Sequence, residues 1–523
     1  MSQPHILTID LGTSGPKAAI VSTEGTVAGS ARASVSTSFG ADGAAEQDAE
    51  RVWEATLEAT RGALGASSVD SSSVVAVVAS AQYSSIVPVR ADGTPTAPMI
   101  TWMDQRSAPK RLKRLPGYPK VGNSPLALLR YLRLHGLAPV SSGMSINHMR
   151  WIRYRQPDVY ERSASFLEPV DYVTARFTGR ITANQCSAFM QMWSDNRRVP
   201  STGWHHGLAA ASLIDRDKIP EFVAAGDVVG TVLPDIADQL GLSHTTPVLS
   251  GINDTQAGAV AAGTFSGTHA GLALGTTAVI VTHLDKKKVN PLRSLYTMPS
   301  PLGGGHLLSA ENGVAGVAVN YFLDNLVYPH DHFETPGSPD TRYQAFNDAA
   351  ASSAPGAGGV LFLPWLRGAI APQTDGRMRG GFLNIGLDTT RTDLARAVLE
   401  GVALNLRWLQ GPVEKFVNRA ISHYVFYGGG ATSDLWSQVM ADVLGKPVHQ
   451  LADAGFANSI GTAVFGFDRL GIAAASEVSD HLKVNAMYEP DPALRARYED
   501  LAGTFTDAFK RTRPVIHRLA TRR

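Results

Sequence analysis

The sequence predicts an α/β protein built from two lobes. Apolar, strand-like runs alternate with helical stretches in both halves of the chain. A strand–Gly-Thr-[Ser/Thr]–strand unit over His5–Ser22 recurs over His269–Leu284, which points to a duplicated fold. At 523 residues the chain also exceeds the size at which one hydrophobic core stops growing. The boundary is placed near residue 250, giving lobes 1–250 and 251–523, the second with a helical extension at about 490–515.

The elements follow in order. His5–Asp10 is a strand ending in an acid, Gly12-Thr13-Ser14-Gly15 a turn, Lys17–Ser22 a second strand and Val27–Ala33 a third. Ala49–Leu64 reads as an amphipathic helix, Val74–Ala79 and Ile86–Val89 as strands. Pro247–Ser250 is a strand leading to Asp254, where a helix rich in small residues begins. In the second half His269–Leu274 and Val279–Leu284 flank Gly275-Thr276-Thr277, and Gly359–Leu363 is a strand. Thr390–Leu409 is a helix with Leu394, Val398, Val402, Leu406 and Leu409 on one stripe and a Thr390/Asp393 capping box. The strand Tyr424–Tyr427 runs into Gly428-Gly429-Gly430, and the helix Asp434–Leu444 stops at Gly445 with Pro447 beyond.

Composition narrows the function. Hydrophobic residues at 44% and charged residues at 18% are ordinary for a soluble enzyme. The 47 Lys+Arg against 46 Asp+Glu argue against nucleic-acid or membrane-surface binding. The single cysteine, Cys186, excludes an internal disulfide, suits a reducing cytoplasm and is expected to be buried. The start shows no basic, apolar leader, and the strongest apolar run, Val74–Ala79, is far short of a membrane span. A cytoplasmic protein is expected. Gly445-Lys446 lacks the upstream glycine of a P-loop, so phosphates would be held by other backbone-rich turns.

Three segments could supply such chemistry. The loop Gly12–Gly15 offers free amides and two hydroxyls beside Lys17, and Asp10 at the strand end could hold Mg²⁺ through water; a plain hairpin turn is the bland alternative. Asp254 is either a helix cap or a carboxylate that takes a hydroxyl proton as a phosphoryl group arrives. Gly428 to Ser433 could let a nucleotide approach the backbone at a helix start.

Seven segments, in order over roughly 5–470, resemble the FGGY carbohydrate kinase family, whose members include xylulose, glycerol, gluconate and ribulose kinases. They are Ile9 to Lys17, Trp102-Met103-Asp104-Gln105-Arg106, Gly251 to Gly258, Leu274 to Thr277, Leu361 to Gly368, Leu394 to Gly401 and Gly428 to Trp436. The resemblance implies two ribonuclease-H-like (actin-like ATPase) lobes around a central cleft, closing to exclude water, with sugar mostly on the first and ATP mostly on the second. By position, Gly12, Thr13, Ser14, Lys17, Gly275, Thr276 and Thr277 would approach the phosphates, and Gly316, Asn320, Gly429 and Gly430 the nucleotide. Asp10 and Asp254 would share Mg²⁺, with Asp254 as general base. Gln82, Tyr83, Ser84, Trp102, Asp104, Arg106 and Asp254 would meet the substrate.

The implied function is ATP-dependent phosphorylation of a hydroxyl of a small sugar or polyol, a xylulose-like ketose being favoured. A homodimer is a family-level expectation. The alternatives are a catalytically weakened sugar-sensing or scaffold homologue and an actin-like ATPase. The chain departs from the family at Tyr83-Ser84, where glycerol kinases carry Arg-Glu and xylulose kinases Met-His. It departs again at Gly368-Ala369-Ile370, which replaces Gly-Glu-Arg, and at Pro16 in the phosphate loop. The run Arg106, Lys110, Arg111, Lys113, Arg114 and Lys120 reads as a solvated surface or as a basic rim for an acidic sugar or ATP. Asn147-His148 and Trp193 read as packed side chains, with a place facing the cleft as the alternative.

Overall fold

The computed structural model describes residues 3–119, 124–265, 267–329, 331 and 341–520; Lys120 of the basic run lies outside them. In the first sheet β1 (His5–Gly12), β2 (Gly15–Ser22) and β3 (Val27–Arg32) form an antiparallel meander. β4 (Val74–Ala81) pairs parallel with β1, and β5 (Val228–Thr231) and β6 (Pro247–Asn253) complete the order β5-β6-β4-β1-β2-β3.

The second sheet repeats this plan. β7 (Ala270–Leu274) and β8 (Thr277–Leu284) form the second hairpin; β9 (Val289–Asn290), β10 (Leu295–Pro299) and β11 (His306–Val314) extend it antiparallel. On the other side β12 (Tyr424–Tyr427) and β13 (Val448–Leu451) add parallel to β7, with β14 (Val484–Tyr488) antiparallel at the edge. The order β9-β10-β11-β8-β7-β12-β13-β14 contains the same three-antiparallel, two-parallel core as β3-β2-β1-β4-β6. The two Gly-Thr hairpins therefore occupy equivalent places in two ribonuclease-H-like lobes.

Helix α1 (Ala49–Ala66) covers the first sheet, its first turn closed by Asp48, whose carboxylate accepts from the amides of Glu50 and Arg51. Helix α2 (Asp254–Ala261) leaves β6, and α3 (Gly316–Phe322) leaves β11. Helix α4 (Arg391–Val417) begins at the expected Thr390/Asp393 box but outruns its expected end at Leu409. It continues through Pro412, a residue that costs about 3 kcal/mol in a helix interior, because Val413 and Phe416 extend its buried stripe. Helix α5 (Asp434–Leu444) ends on Gly445 in the left-handed region, as expected.

Helix α6 (Ala457–Arg469) comes from the second half of the chain yet lies on the first sheet, where Ile460, Val464 and Phe465 join Ile6, Val21, Val78 and Leu249 in one core. It also packs on α2 at a very short distance. A Cβ on Gly461 would stand 1.9 Å from the Ala257 carbonyl oxygen, so glycine alone admits this crossing. Gly258 of α2 instead admits the second sheet, since a Cβ there would stand 2.6 Å from the Tyr427 ring of β12.

The expected terminal helix is α7 (Arg495–Ala520), which places Phe505 and Phe509 at 5.1 and 4.9 Å from the Trp365 ring. Its His517 and Arg513 hold Asp375, anchoring the loop that carries Ala369-Ile370. Cys186, Trp193 and His148 are buried, and burial pushes the Cys186 thiol up to about 12. Among the described residues no helix is long and apolar enough to cross a membrane.

Candidate active site

A cavity of about 480 Å³ lies where the hairpins of the two lobes face each other. It gathers Asp10, Gly12, Thr13, Lys17, Gln82, Tyr83, Ser84, Trp102, Asp254, Gly275, Thr276, Thr277 and Gly429 of the residues picked from the sequence. A second pocket of about 380 Å³ shares Leu274, Gly275, Thr276 and Gly429 with it and contains Gly316, Asn320 and Gly430, with Phe346 and Trp436 as apolar walls. The two spaces adjoin at the second Gly-Thr turn.

Asp254 opens α2, but it is not the cap. Asn253 fills that role: its Oδ1 accepts from the Gln256 amide at 2.9 Å, while Gln256 Oε1 accepts from the Asn253 amide at 3.3 Å. With the helix end satisfied by its neighbour, the Asp254 carboxylate is left to line the cavity, where Oδ1 accepts from the Thr255 amide at 2.6 Å. Burial pushes the Asp254 carboxyl up to about 7, and the nearby Asp10 carboxylate adds to the rise.

Asp10 sits in β1 directly opposite Lys17 of β2. Lys17 Nζ stands 3.6 Å from Asp10 Oδ2 and donates to the Gly455 carbonyl at 3.3 Å; Asn458 Nδ2 donates to Asp10 Oδ1 at 3.4 Å. The Asp10 carboxylate raises the cost of ionising Asp254, and a divalent cation between the two would relieve that repulsion. No group of three or more such ligands exists among the described residues. The pair Asp10 and Asp254 is of the kind Mg²⁺ takes, since it keeps several waters and binds through one or two carboxylates.

The Gly12–Gly15 loop is fixed by side chains far along the chain. Thr13 Oγ1 donates to Gln82 Oε1 at 2.9 Å and accepts from Trp102 Nε1 at 3.1 Å, and Gln47 Nε2 donates to the Thr13 carbonyl at 2.8 Å. The adjoining Tyr83-Ser84 segment is strained: Ser84 has φ +63°, where a side chain is disfavoured. Buried Glu168 holds it, accepting from the Ser85 amide at 3.3 Å and from the Ser145 hydroxyl.

Three of the residues picked from the sequence lie elsewhere. Ser14 is exposed, with its carbonyl accepting from the Val35 amide, and lines neither space. Asp104 and Arg106 lie behind the cavity wall. Asp104, 1% exposed, accepts from Arg106 Nε at 2.9 Å and from the Ala45 amide at 3.0 Å; Arg106 also binds Glu46 and lies over the Trp151 ring at 4.2 Å. Breaking a buried pair leaves an uncompensated charge, so Asp104→Ala is expected to cost about 3 kcal/mol of stability. Calorimetric unfolding checks this, and an unchanged transition would refute the clamp.

Other lining residues carried no motif. Glu311, Tyr296, Tyr427 and Asn458 border the cavity, and Tyr343, which donates to Asn320 Oδ1 at 2.8 Å, borders the second pocket. The glycine run closes the junction between the spaces. Gly428 has φ +93°, and a Cβ there would stand 2.7 Å from the Leu274 carbonyl oxygen. Gly428→Ala should therefore displace the loop and raise the KM for ATP about tenfold, the equivalent of roughly 1.4 kcal/mol. An unchanged KM for ATP would show that the loop has no part in ATP binding.

The chain matches known proteins over nearly its whole length. The model of the FGGY family of carbohydrate kinases, N-terminal domain, matches residues 5–261, and that of the C-terminal domain matches residues 270–467. A xylulose kinase of Staphylococcus epidermidis is 25% identical, covering 100% of this chain and 99% of its own length. The xylulose kinase of Escherichia coli is 27% identical, with 97% and 99% covered. The solved structure of ligand-bound xylulose kinase from Lactobacillus acidophilus superposes with a TM-score of 0.81 at 21% identity, covering 97% of this chain and 98% of that one.

Proposed function

The chain belongs to the FGGY family of carbohydrate kinases, and on that premise we propose that it transfers the γ-phosphoryl group of Mg²⁺-ATP to a hydroxyl of a small sugar or polyol, a xylulose-like ketose first among them. The observation that carries the reading is Asp254, released from capping by Asn253 and facing Asp10 in the cavity that joins the nucleotide pocket.

The acceptor lies on the side of lobe 1–250, near Gln82, Tyr83, Ser84 and Trp102, and the nucleotide on lobe 251–523, between Gly316, Asn320, Gly429 and Gly430. The amides of Gly12, Thr13, Thr276 and Thr277 and the ammonium of Lys17 take the phosphate oxygens, while the Gly275 amide, which donates to the Thr277 carbonyl at 3.0 Å, holds the turn that presents them. Asp10 and Asp254 would hold Mg²⁺, which when bound screens the phosphate charge. Asp254 accepts the proton of the acceptor hydroxyl as its oxygen bonds to the γ-phosphorus and the bond to ADP breaks. Asp104 and Arg106 serve the substrate side indirectly, by holding the segment that carries Trp102.

The test is ADP release from ATP with a panel of ketoses, polyols and sugar acids. Turnover with xylulose or a related ketose is the expected result. ADP release with no member of the panel would sink the proposal and favour a sugar-sensing or scaffold role.

A further inference from the structure

The proposed transfer leaves one charged side chain of the cleft unused. Glu311 stands on β11, where alternate residues Ser309 and Glu311 face the cavity while Ala310 points into the second core. It pairs across the sheet with Val279, which with Val281 makes that wall apolar. Among the described residues no hydrogen bond or ion pair engages its carboxylate. Burial raises the carboxyl above its usual range, which marks the cost of keeping a charge there.

Donors surround the cavity without reaching Glu311. The hydroxyls of Tyr83 and Tyr296, one from each lobe, meet at 3.4 Å, and the buried Gln82 Nε2 has no partner. Hydroxyl groups both donate and accept, so a polyol can satisfy such a wall of mixed groups. The charge inventory is equally selective. The charged residues lining the cavity are Asp10, Lys17, Asp254 and Glu311, and the one ammonium is already engaged by Asp10 and the Gly455 carbonyl. Among the described lining residues, an acceptor carrying its own carboxylate would meet no cation beyond Lys17, which is turned to Asp10 and the phosphate side, and would face Asp254 and Glu311.

We infer that Glu311 is a specificity-determining residue that takes hydroxyl hydrogens of an uncharged sugar or polyol and turns away sugar acids. This rests on the kinase reading for turnover, but binding alone can test it. The experiment uses the full chain with xylulose and gluconate as probes, other neutral ketoses and polyols beside them. Binding is measured by calorimetry without ATP, kcat and KM by ADP release, and folding by melting temperature.

Wild type should prefer xylulose over gluconate by about 100-fold or more, since like-charge juxtaposition is costly. Glu311→Gln should raise Kd and KM for xylulose about tenfold, the loss expected for a charged hydrogen bond, and should narrow the preference over gluconate. Its KM for ATP and melting temperature should stay unchanged, and Glu311→Asp should recover part of the xylulose affinity. Gluconate bound as tightly as xylulose by wild type, or no neutral acceptor bound at all, overturns the inference. So does an unchanged xylulose Kd in Glu311→Gln, which leaves the kinase reading standing if turnover persists. Preferential xylulose binding that Glu311→Gln weakens, without ADP release, supports the inference while rejecting the kinase reading. Should Glu311→Gln fail to fold, Glu311→Asp and the wild-type comparison decide.

Discussion

Asp254→Asn is expected to lower kcat by about 10² to 10⁴-fold, the usual worth of a positioned general base, while ATP still binds. The amide keeps the size and can still accept the hydrogen bond from the Thr255 amide, but it cannot take a proton at the reacting hydroxyl. ADP release and nucleotide binding are measured on the same preparation. Full turnover in the variant would refute the mechanism.

The same carboxylate should set the pH profile. Its folded value of about 7 lies above the ordinary 3.8, so below about pH 7 the base is largely protonated and cannot act. Activity should therefore rise with pH through that region rather than near pH 4. Asp10, Glu311, Tyr83, Tyr296 and Tyr427 face Asp254, and the anionic Asp10 and Glu311 favour its protonated form. A bound cation opposes them, so raising the Mg²⁺ concentration should move the acid limb of kcat/KM to lower pH. An acid limb near pH 4 that ignores Mg²⁺ would contradict this electrostatic picture.

Gly461→Val carries the largest expected effect on stability. Even a methyl group there would stand 1.9 Å from a backbone oxygen of α2, and a branched side chain has no flexible neighbour to push aside. Overpacking costs about 1–3 kcal/mol and more where backbone must move, so at least about 3 kcal/mol is expected. Calorimetry should show the transition lowered, or little folded protein recovered. Gly503→Ala is the control: this exposed glycine of α7 has open space where its Cβ would go, and alanine there should stabilise by up to about 1 kcal/mol. Equal melting of Gly461→Val and wild type would mean that α2 and α6 do not cross so closely.

The repeated hairpins were legible because Gly-Thr turns between apolar strands are local signals, and both appear at equivalent places in their sheets. Asp254 was half legible. Its place after a strand marked it, but whether it capped the helix depended on Asn253 and Gln256, whose reciprocal bonds local sequence does not announce. Asp104 and Arg106 carry the right chemistry for a sugar, yet Glu46 and the Ala45 amide, some 60 residues away, draw them into the wall. Glu311 was invisible, because a carboxylate in a strand becomes a cleft residue only through the pairing of β8 with β11. The stretch of α4 beyond Leu409 and through Pro412 was not legible, since the burial of Val413 and Phe416 is a tertiary gain that propensity does not contain.

The seat of α6 on the first sheet bears on how the chain is made. Ile6, Val21 and Val78 leave the ribosome early, but the helix that covers them is encoded at 457–469. Until then one apolar face of the first lobe has no partner, and a nascent chain or a fragment cut near residue 250 exposes it. The two halves of the sequence are therefore not two independent folding units, and a separately expressed first lobe should aggregate unless α6 is supplied in trans.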